Sequence, residues 1–110
     1  MPGIFALRAY YEDWVDSTSR FIGYGLIGLQ HRGQESFGVV TENHSRFNVY
    51  KCQKQAKDAF SEKKLRNVKG CLGIGAVSIY KETYRRNIQP KVYKGIALCY
   101  DGKFHIEGGE

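Results

Sequence analysis

Apolar and polar positions near the N-terminus predict a strand followed by a helix. Residues 3–7 form a short apolar run of the length and composition of a buried strand. After a polar segment, Ser17, Thr18 and Ser19 are suitable N-caps for a helix. The apolar residues of this helix cover more than half of its circumference, which predicts burial on more than one side: Phe21, Ile22, Tyr24, Leu26, Ile27 and Leu29.

Three glycines interrupt the same helical segment, at Gly23, Gly25 and Gly28. A glycine inside a helix costs about 1 kcal/mol relative to alanine, because its backbone loses more freedom on folding. Three of them in one helix therefore predict close packing against a sheet that larger side chains would prevent.

The pattern downstream alternates between strands and one further helix. Residues 36–41 and 46–52 predict an antiparallel hairpin, with Asn43 and His44 in its turn. Residues 54–66 predict an amphipathic helix with a basic outer face. Three more strands are predicted at residues 72–79, 96–100 and 103–106, the last two as a hairpin around Asp101 and Gly102. The element order β, α, ββ, α, βββ predicts an α+β fold with a mostly antiparallel sheet.

Composition narrows the class of protein. A chain of 110 residues with 42% hydrophobic residues predicts one globular domain, residues 1–110. Its apolar runs are shorter than the roughly 20 residues of a membrane span, and we expect neither a signal peptide nor membrane association. The three cysteines and three histidines lack metal-ligand spacing. We therefore expect a cytoplasmic protein with reduced thiols and without a metal or another cofactor.

The net charge of +6 is concentrated in the second half of the chain. Residues 1–50 carry four basic and five acidic side chains, whereas residues 51–110 carry thirteen basic and six acidic ones. Such a surface attracts phosphate groups or an acidic protein. The alternative is a solvated, lysine-rich face. The candidate basic contact face consists of Lys54, Lys57, Lys64, Arg85 and Arg86.

Several short motifs occur in an order that carries a family resemblance. They are Gly3-Ile4-Phe5, the run LQHRGQESFG at residues 29–38, Leu72-Gly73-Ile74-Gly75, Gln89-Pro90 and Asp101-Gly102. The sequence resembles the glutaminase domain of class II glutamine amidotransferases, closest to the glutamine phosphoribosylpyrophosphate amidotransferases. The resemblance implies the N-terminal-nucleophile (Ntn) hydrolase fold, an αββα sandwich. Because the chain is about half as long as that domain, we expect a truncated form with an uncovered face that needs a partner.

The resemblance also places a former active site on four residues of this chain. The family uses an N-terminal cysteine as nucleophile, and Pro2 stands at that position. Ser78 replaces the arginine that holds the glutamine carboxylate. Asp101 replaces an oxyanion-hole asparagine, where its negative charge is unfavourable, and Gly102 is retained. The resemblance therefore implies a degenerate site without glutaminase activity.

A second motif matches the family without an evident catalytic role. It comprises Gln30, His31, Arg32, Gly33, Gln34 and Glu35. We expect the segment to serve the fold, with Gly33 turning the chain and polar side chains joining the helix end to the next strand. A catalytic role for His31 is the alternative.

These observations favour a non-catalytic accessory subunit that binds a larger protein. A weaker resemblance to the small accessory subunit of a crenarchaeal family-B DNA polymerase implies an archaeal protein acting in DNA replication, with a polymerase catalytic subunit as partner and nucleic acid bound through or beside it. Three alternatives stay open. They are a regulatory partner of an amidotransferase or purine-synthesis enzyme, a stand-alone nucleic-acid binder, and an enzyme that uses an N-terminal proline as general base.

Overall fold

A computed structural model gives the fold and describes residues 3–32, 35–78 and 87–101. In these ranges, 3-10 turns at Glu12–Trp14 and Gln30–Arg32 flank the first helix. Residue 79 and the predicted strand at residues 103–106 lie outside them. The strands and α-helices are β1 (Gly3–Arg8), α1 (Thr18–Gly28), β2 (Ser36–Asn43), β3 (Arg46–Cys52), α2 (Ala56–Ala59), α3 (Glu62–Arg66), β4 (Leu72–Ser78), β5 (Lys91–Tyr93) and β6 (Ile96–Leu98).

Strands β1 to β4 form one sheet in the order β1-β4-β2-β3. All three pairings in this sheet are antiparallel, and β5 and β6 form a separate antiparallel pair. The predicted α+β class with mostly antiparallel sheets is confirmed. Strand β4 is central because it bonds to both β1 and β2, although most of the chain separates it from β1 in sequence.

The hydrophobic core lies between this sheet and the helices. Phe37 and Val39 of β2 pack with Ile22 and Leu26 of α1, and all four side chains are fully buried. Gly75 of β4 lets α1 approach closely, because a Cβ there would lie 2.6 Å from the Ile22 side chain. Because side chains alternate between the two faces of a sheet, these residues of β2 and β4 all lie on the face that packs against the helices.

Helix α1 differs from its sequence prediction on its outer side. Phe21 and Tyr24 are 43% and 48% exposed, so two of the six apolar residues expected to be buried lie at the surface. The glycines of α1 also differ in the elements that they pack against. A Cβ at Gly25 would overlap the Phe5 ring of the sheet, whereas one at Gly23 would meet Phe60 and Leu65, which lie outside it.

The predicted helix over residues 54–66 is two short helices. The chain is extended at Phe60 (ψ 129°) and Ser61 (φ −147°, ψ 114°), between α2 and α3. The Ser61 hydroxyl accepts a hydrogen bond from the Lys64 amide at 3.3 Å and so caps α3. The break also lets the Phe60 ring pack against Gly23. Tertiary packing and a local cap therefore override the helical periodicity.

The first predicted hairpin is confirmed, whereas the second has its strand at residues 103–106 outside the described residues. Strands β2 and β3 pair as predicted, but the turn lies at His44 and Ser45 (φ 52° and 63°), one residue beyond the predicted Asn43 and His44. Strand β6 pairs with β5, which the sequence analysis missed. The available signal was Lys94-Gly95, with φ values of 45° and 81°, between two short apolar runs.

Candidate functional site

Of the four residues of the predicted former active site, Ser78 lies at the end of the large sheet where β1 begins and β4 ends. Gly3 pairs with Val77, and Ser36 at the start of β2 pairs with Ser78. The Glu35 amide donates to the Ser78 carbonyl oxygen at 2.8 Å. Ser78 is therefore placed beside the N-terminal strand. Pro2 and Gly102 lie outside the described residues.

The polar side chains of Ser36 and Ser78 at this end of the sheet are uncharged hydroxyl groups. Ser36 is 1% exposed and Ser78 is 6% exposed. A serine hydroxyl donates and accepts hydrogen bonds but carries no charge, so it cannot form the bidentate ion pair that an arginine forms with a carboxylate. Asp101 is exposed after β6, in a segment held by the bond from the Tyr100 amide to the Gln89 Oε1 at 2.8 Å.

The segment around Gln89 lies directly on β2. A Cβ at Gly38 would overlap the carbonyl oxygen of Gln89 and would lie 2.9 Å from the Cδ of Pro90. Ile88 beside it is 2% exposed. This contact leaves no room for a side chain at position 38, so the segment is seated on the sheet face opposite the helices.

Cys99 lies close to β4, and its thiol has a low tendency to ionise. Its Sγ is 3.8 Å from the carbonyl oxygen of Gly75, and burial raises the pKa of its thiol to about 12. Because the thiolate is the nucleophile, this raised pKa leaves little reactive thiolate at neutral pH. In the described part of the chain, Cys52 and Cys71 are also free thiols, and no cluster of His, Cys, Asp and Glu could hold a metal ion.

The motif at residues 30–35 connects α1 to β2. His31 is exposed in the 3-10 turn, and the buried Oε1 of Gln30 has no hydrogen-bond partner among the described residues. Glu35 joins neighbouring strands through its backbone, since its carbonyl oxygen accepts from the Gln53 Nε2 at 3.0 Å. Gly33, Gln34 and the side chain of Arg32 lie outside the described residues. The structural role of this motif stays a prediction.

The candidate basic contact face is only partly described. Lys54, Lys57 and Lys64 are exposed, but the break at Phe60 and Ser61 divides the helix that was expected to carry them. Arg85 and Arg86 lie outside the described residues.

An aromatic row on the outer face of α1 was missed by the sequence analysis. Ring centroids are 5.5 Å apart for Trp14 and Phe21, 6.3 Å for Phe21 and Tyr24, and 4.9 Å for Tyr24 and Phe60. The Tyr24 hydroxyl donates to Glu62 at 2.6 Å, and this bond raises the pKa of Tyr24. The i, i+3 spacing of Phe21 and Tyr24 was the available signal, but it was interpreted as core packing.

The chain is similar in sequence to amidophosphoribosyltransferases. It is 36% identical to the Methanocaldococcus jannaschii protein over 109 residues, which cover 93% of this chain and 22% of the relative. It is 33% identical to the Synechocystis protein over 106 residues, which cover 91% and 21%. Thus it spans about a fifth of the length of these curated relatives. No protein-family model matches it.

Solved structures give the same result. A Bacillus subtilis glutamine phosphoribosylpyrophosphate (PRPP) amidotransferase, complexed with ADP and GMP, matches with a TM-score of 0.63 and 31% identity. A structure described as the allosteric regulatory enzyme of purine biosynthesis matches with a TM-score of 0.67 and 28% identity. Each match covers 82% of this chain and 18% of the solved chain. The fold is therefore the Ntn-hydrolase-like fold of PRPP amidotransferases.

The comparisons also correct the predicted function. The relatives are amidophosphoribosyltransferases, so the prediction of an accessory subunit working with a DNA polymerase is wrong. Relatives from organisms as different as Methanocaldococcus jannaschii and Drosophila melanogaster give no support to a specifically archaeal protein. Among the described residues, no helix is long and apolar enough to cross a membrane.

Proposed function

We propose that this chain acts in amidophosphoribosyl transfer as a regulatory unit with a glutaminase-type fold and does not itself hydrolyse glutamine. The observation that carries the proposal is the similarity to amidophosphoribosyltransferases, which extends over 93% of the chain. This similarity makes an amidophosphoribosyltransferase the expected protein partner.

The residue type at position 2 and the neighbouring described residues support the loss of hydrolysis. Proline at position 2 has no nucleophilic side chain, so it cannot form the covalent intermediate of an N-terminal cysteine. The buried hydroxyls of Ser36 and Ser78 occupy the adjoining strand ends. Cys99 cannot substitute as nucleophile, because burial holds the pKa of its thiol far above neutral pH.

A regulatory unit of this kind should affect the two nitrogen sources of amidophosphoribosyl transfer differently. A glutaminase-type unit that lacks hydrolysis and occupies a glutaminase position would reduce the rate with glutamine. The same unit would leave the rate with free ammonia unchanged, since ammonia does not require glutamine hydrolysis.

The experiment adds the purified chain to the amidophosphoribosyltransferase of the same organism and measures PRPP consumption with each nitrogen source. We expect a saturable decrease with glutamine and no change with ammonia. Leu65→Ala, which disrupts the core, is the control for an effect that requires the folded chain. Equal rates with and without the chain, or an equal decrease with both nitrogen sources, would contradict the proposal.

A further inference from the structure

Within residues 3–32, 35–78 and 87–101, no strand pairs with the outer edge of β1. The Ala9 amide donates to the Cys71 carbonyl oxygen at 2.6 Å, so Ala9 and Cys71 form a hydrogen-bonded pair. Every second residue pair back along β1 and β4 is then also hydrogen-bonded. By that alternation Phe5 and Leu7 bond to β4, whereas the amides and carbonyls of Ile4, Ala6 and Arg8 point away from it. The described part of the chain places no strand beyond β1.

The two edge strands of the large sheet differ in how many charged side chains they carry. Edge strands commonly carry charged side chains that discourage pairing with another chain. Strand β3, at the opposite edge, carries Arg46 and Lys51. Strand β1 carries one charge, at its last residue, and this Arg8 guanidinium lies 5.5 Å from the centre of the Tyr10 ring. Of the two edges in the described sheet, the β1 edge is therefore the less protected against strand addition.

A mostly apolar groove of about 300 Å³ adjoins the end of this edge. It is lined by Leu7, Arg8, Ala9, Tyr10, Trp14, Thr18 and Phe21. Trp14 and Phe21 are 44% and 43% exposed, so their rings are open to a ligand. In an added strand alternate side chains point to the same sheet face, and one of them would reach this groove.

We infer that the β1 edge and the adjoining groove bind an extended segment of a partner protein by strand addition, with a large apolar side chain in the groove. The row of outward amides and carbonyls matches the backbone of an extended polypeptide, and the groove supplies side-chain selection. The inference does not depend on the link to amidophosphoribosyl transfer, and a negative result in the glutamine and ammonia assay would leave it unaffected.

A second copy of this chain fits the same surface less well. Pairing of two β1 edges would satisfy the backbone groups of both copies. The helix-side residues of β1, Phe5 and Leu7, already pack against their own core, and Phe5 contacts Gly25 of α1. They are not available to enter the groove of a neighbouring copy. A free segment with an exposed apolar side chain fills both the edge and the groove.

Ala6→Pro tests whether the outer edge of β1 binds another strand. The Ala6 amide points away from β4, so proline removes no bond of the sheet while its ring blocks the approach of another strand. Ala6→Val keeps the amide and is the control variant. Circular dichroism should give similar thermal unfolding for the Ala6→Pro variant and the native chain.

The probe is a synthetic peptide of about six residues, a typical strand length, that alternates threonine and phenylalanine. Titration followed by NMR should give saturable shifts at Ile4, Ala6 and Arg8 in the native chain and in Ala6→Val. Binding should weaken at least about tenfold in Ala6→Pro and in Trp14→Ala, equivalent to about 1.4 kcal/mol. A version of the peptide with N-methyl groups on its pairing amides should not bind.

Three results would overturn the inference. They are the absence of saturable binding, equal binding by Ala6→Pro and Ala6→Val, and equal binding of the N-methylated peptide. Concentration-dependent dimerisation that Ala6→Pro abolishes would instead assign the edge to a second copy. The N-methylated peptide keeps the test decisive even where the Ala6→Pro variant fails to fold.

Discussion

Gly38→Ala tests whether the segment at residues 87–90 is seated on the sheet. The added Cβ would overlap the carbonyl oxygen of Gln89 and lie 3.0 Å from its carbonyl carbon. These are main-chain atoms, which cannot rotate away as the end of a side chain does. Overpacking of this kind costs about 1–3 kcal/mol. The lower chain entropy of alanine in the unfolded state offsets about 0.4–1 kcal/mol of this cost.

At the midpoints of these two ranges the net loss is about 1.3 kcal/mol, which should lower the midpoint of thermal unfolding by roughly 5–10 °C, as measured by circular dichroism. Gly28→Ala is the matched control, since nothing lies within 4 Å of a Cβ at that helical position. We expect this control to have the stability of the native chain or slightly more. A Gly38→Ala variant as stable as Gly28→Ala would refute the described contact between β2 and residues 87–90.

Three further predictions concern single side chains. Leu65→Ala should lower the free energy of unfolding by about 2–5 kcal/mol in urea titrations, because this side chain is fully buried; a loss below about 1 kcal/mol would contradict its place in the core. Glu62→Gln should lower the pKa of Tyr24 toward its ordinary value of 10.0 in an NMR titration of the ring, since the charged acceptor raises it; an unchanged pKa would argue against this hydrogen bond. In a variant with Cys99 as its single cysteine, alkylation at pH 8 should be about a thousandfold slower than for an ordinary thiol, since the pKa rises from 9.0 to about 12 and less thiolate forms; the unfolded variant should react at the ordinary rate, and equal rates would show that Cys99 is not buried as described.

Local sequence patterns predicted those strands whose boundaries depend on residues nearby in the sequence. The β2–β3 hairpin follows from alternation on both sides of a short turn, and β1 follows from a short apolar run. The break between α2 and α3 did not follow, because the periodicity of residues 54–66 fits a continuous helix. It is decided by the packing of Phe60 against Gly23, a contact distant in sequence.

The order of motifs indicated the fold, whereas the assignment of Pro2, Ser78 and Asp101 to a former active site stays a prediction. The neighbour of Ser78 is Ser36, and their pairing depends on the register between β2 and β4, which no local pattern contains. The exposed row of Trp14, Phe21 and Tyr24 was missed because apolar residues on a helix are expected to face a core.

Glutamine hydrolysis by the purified chain is the most direct test of the proposed function. Glutamate release would be followed by NMR on isotopically labelled glutamine, with a cysteine-free variant measured in parallel to identify any thiol-dependent reaction. The proposal predicts no glutamate above the uncatalysed rate, because position 2 is proline and burial keeps Cys99 protonated. Catalytic turnover of glutamine by the native chain would contradict it.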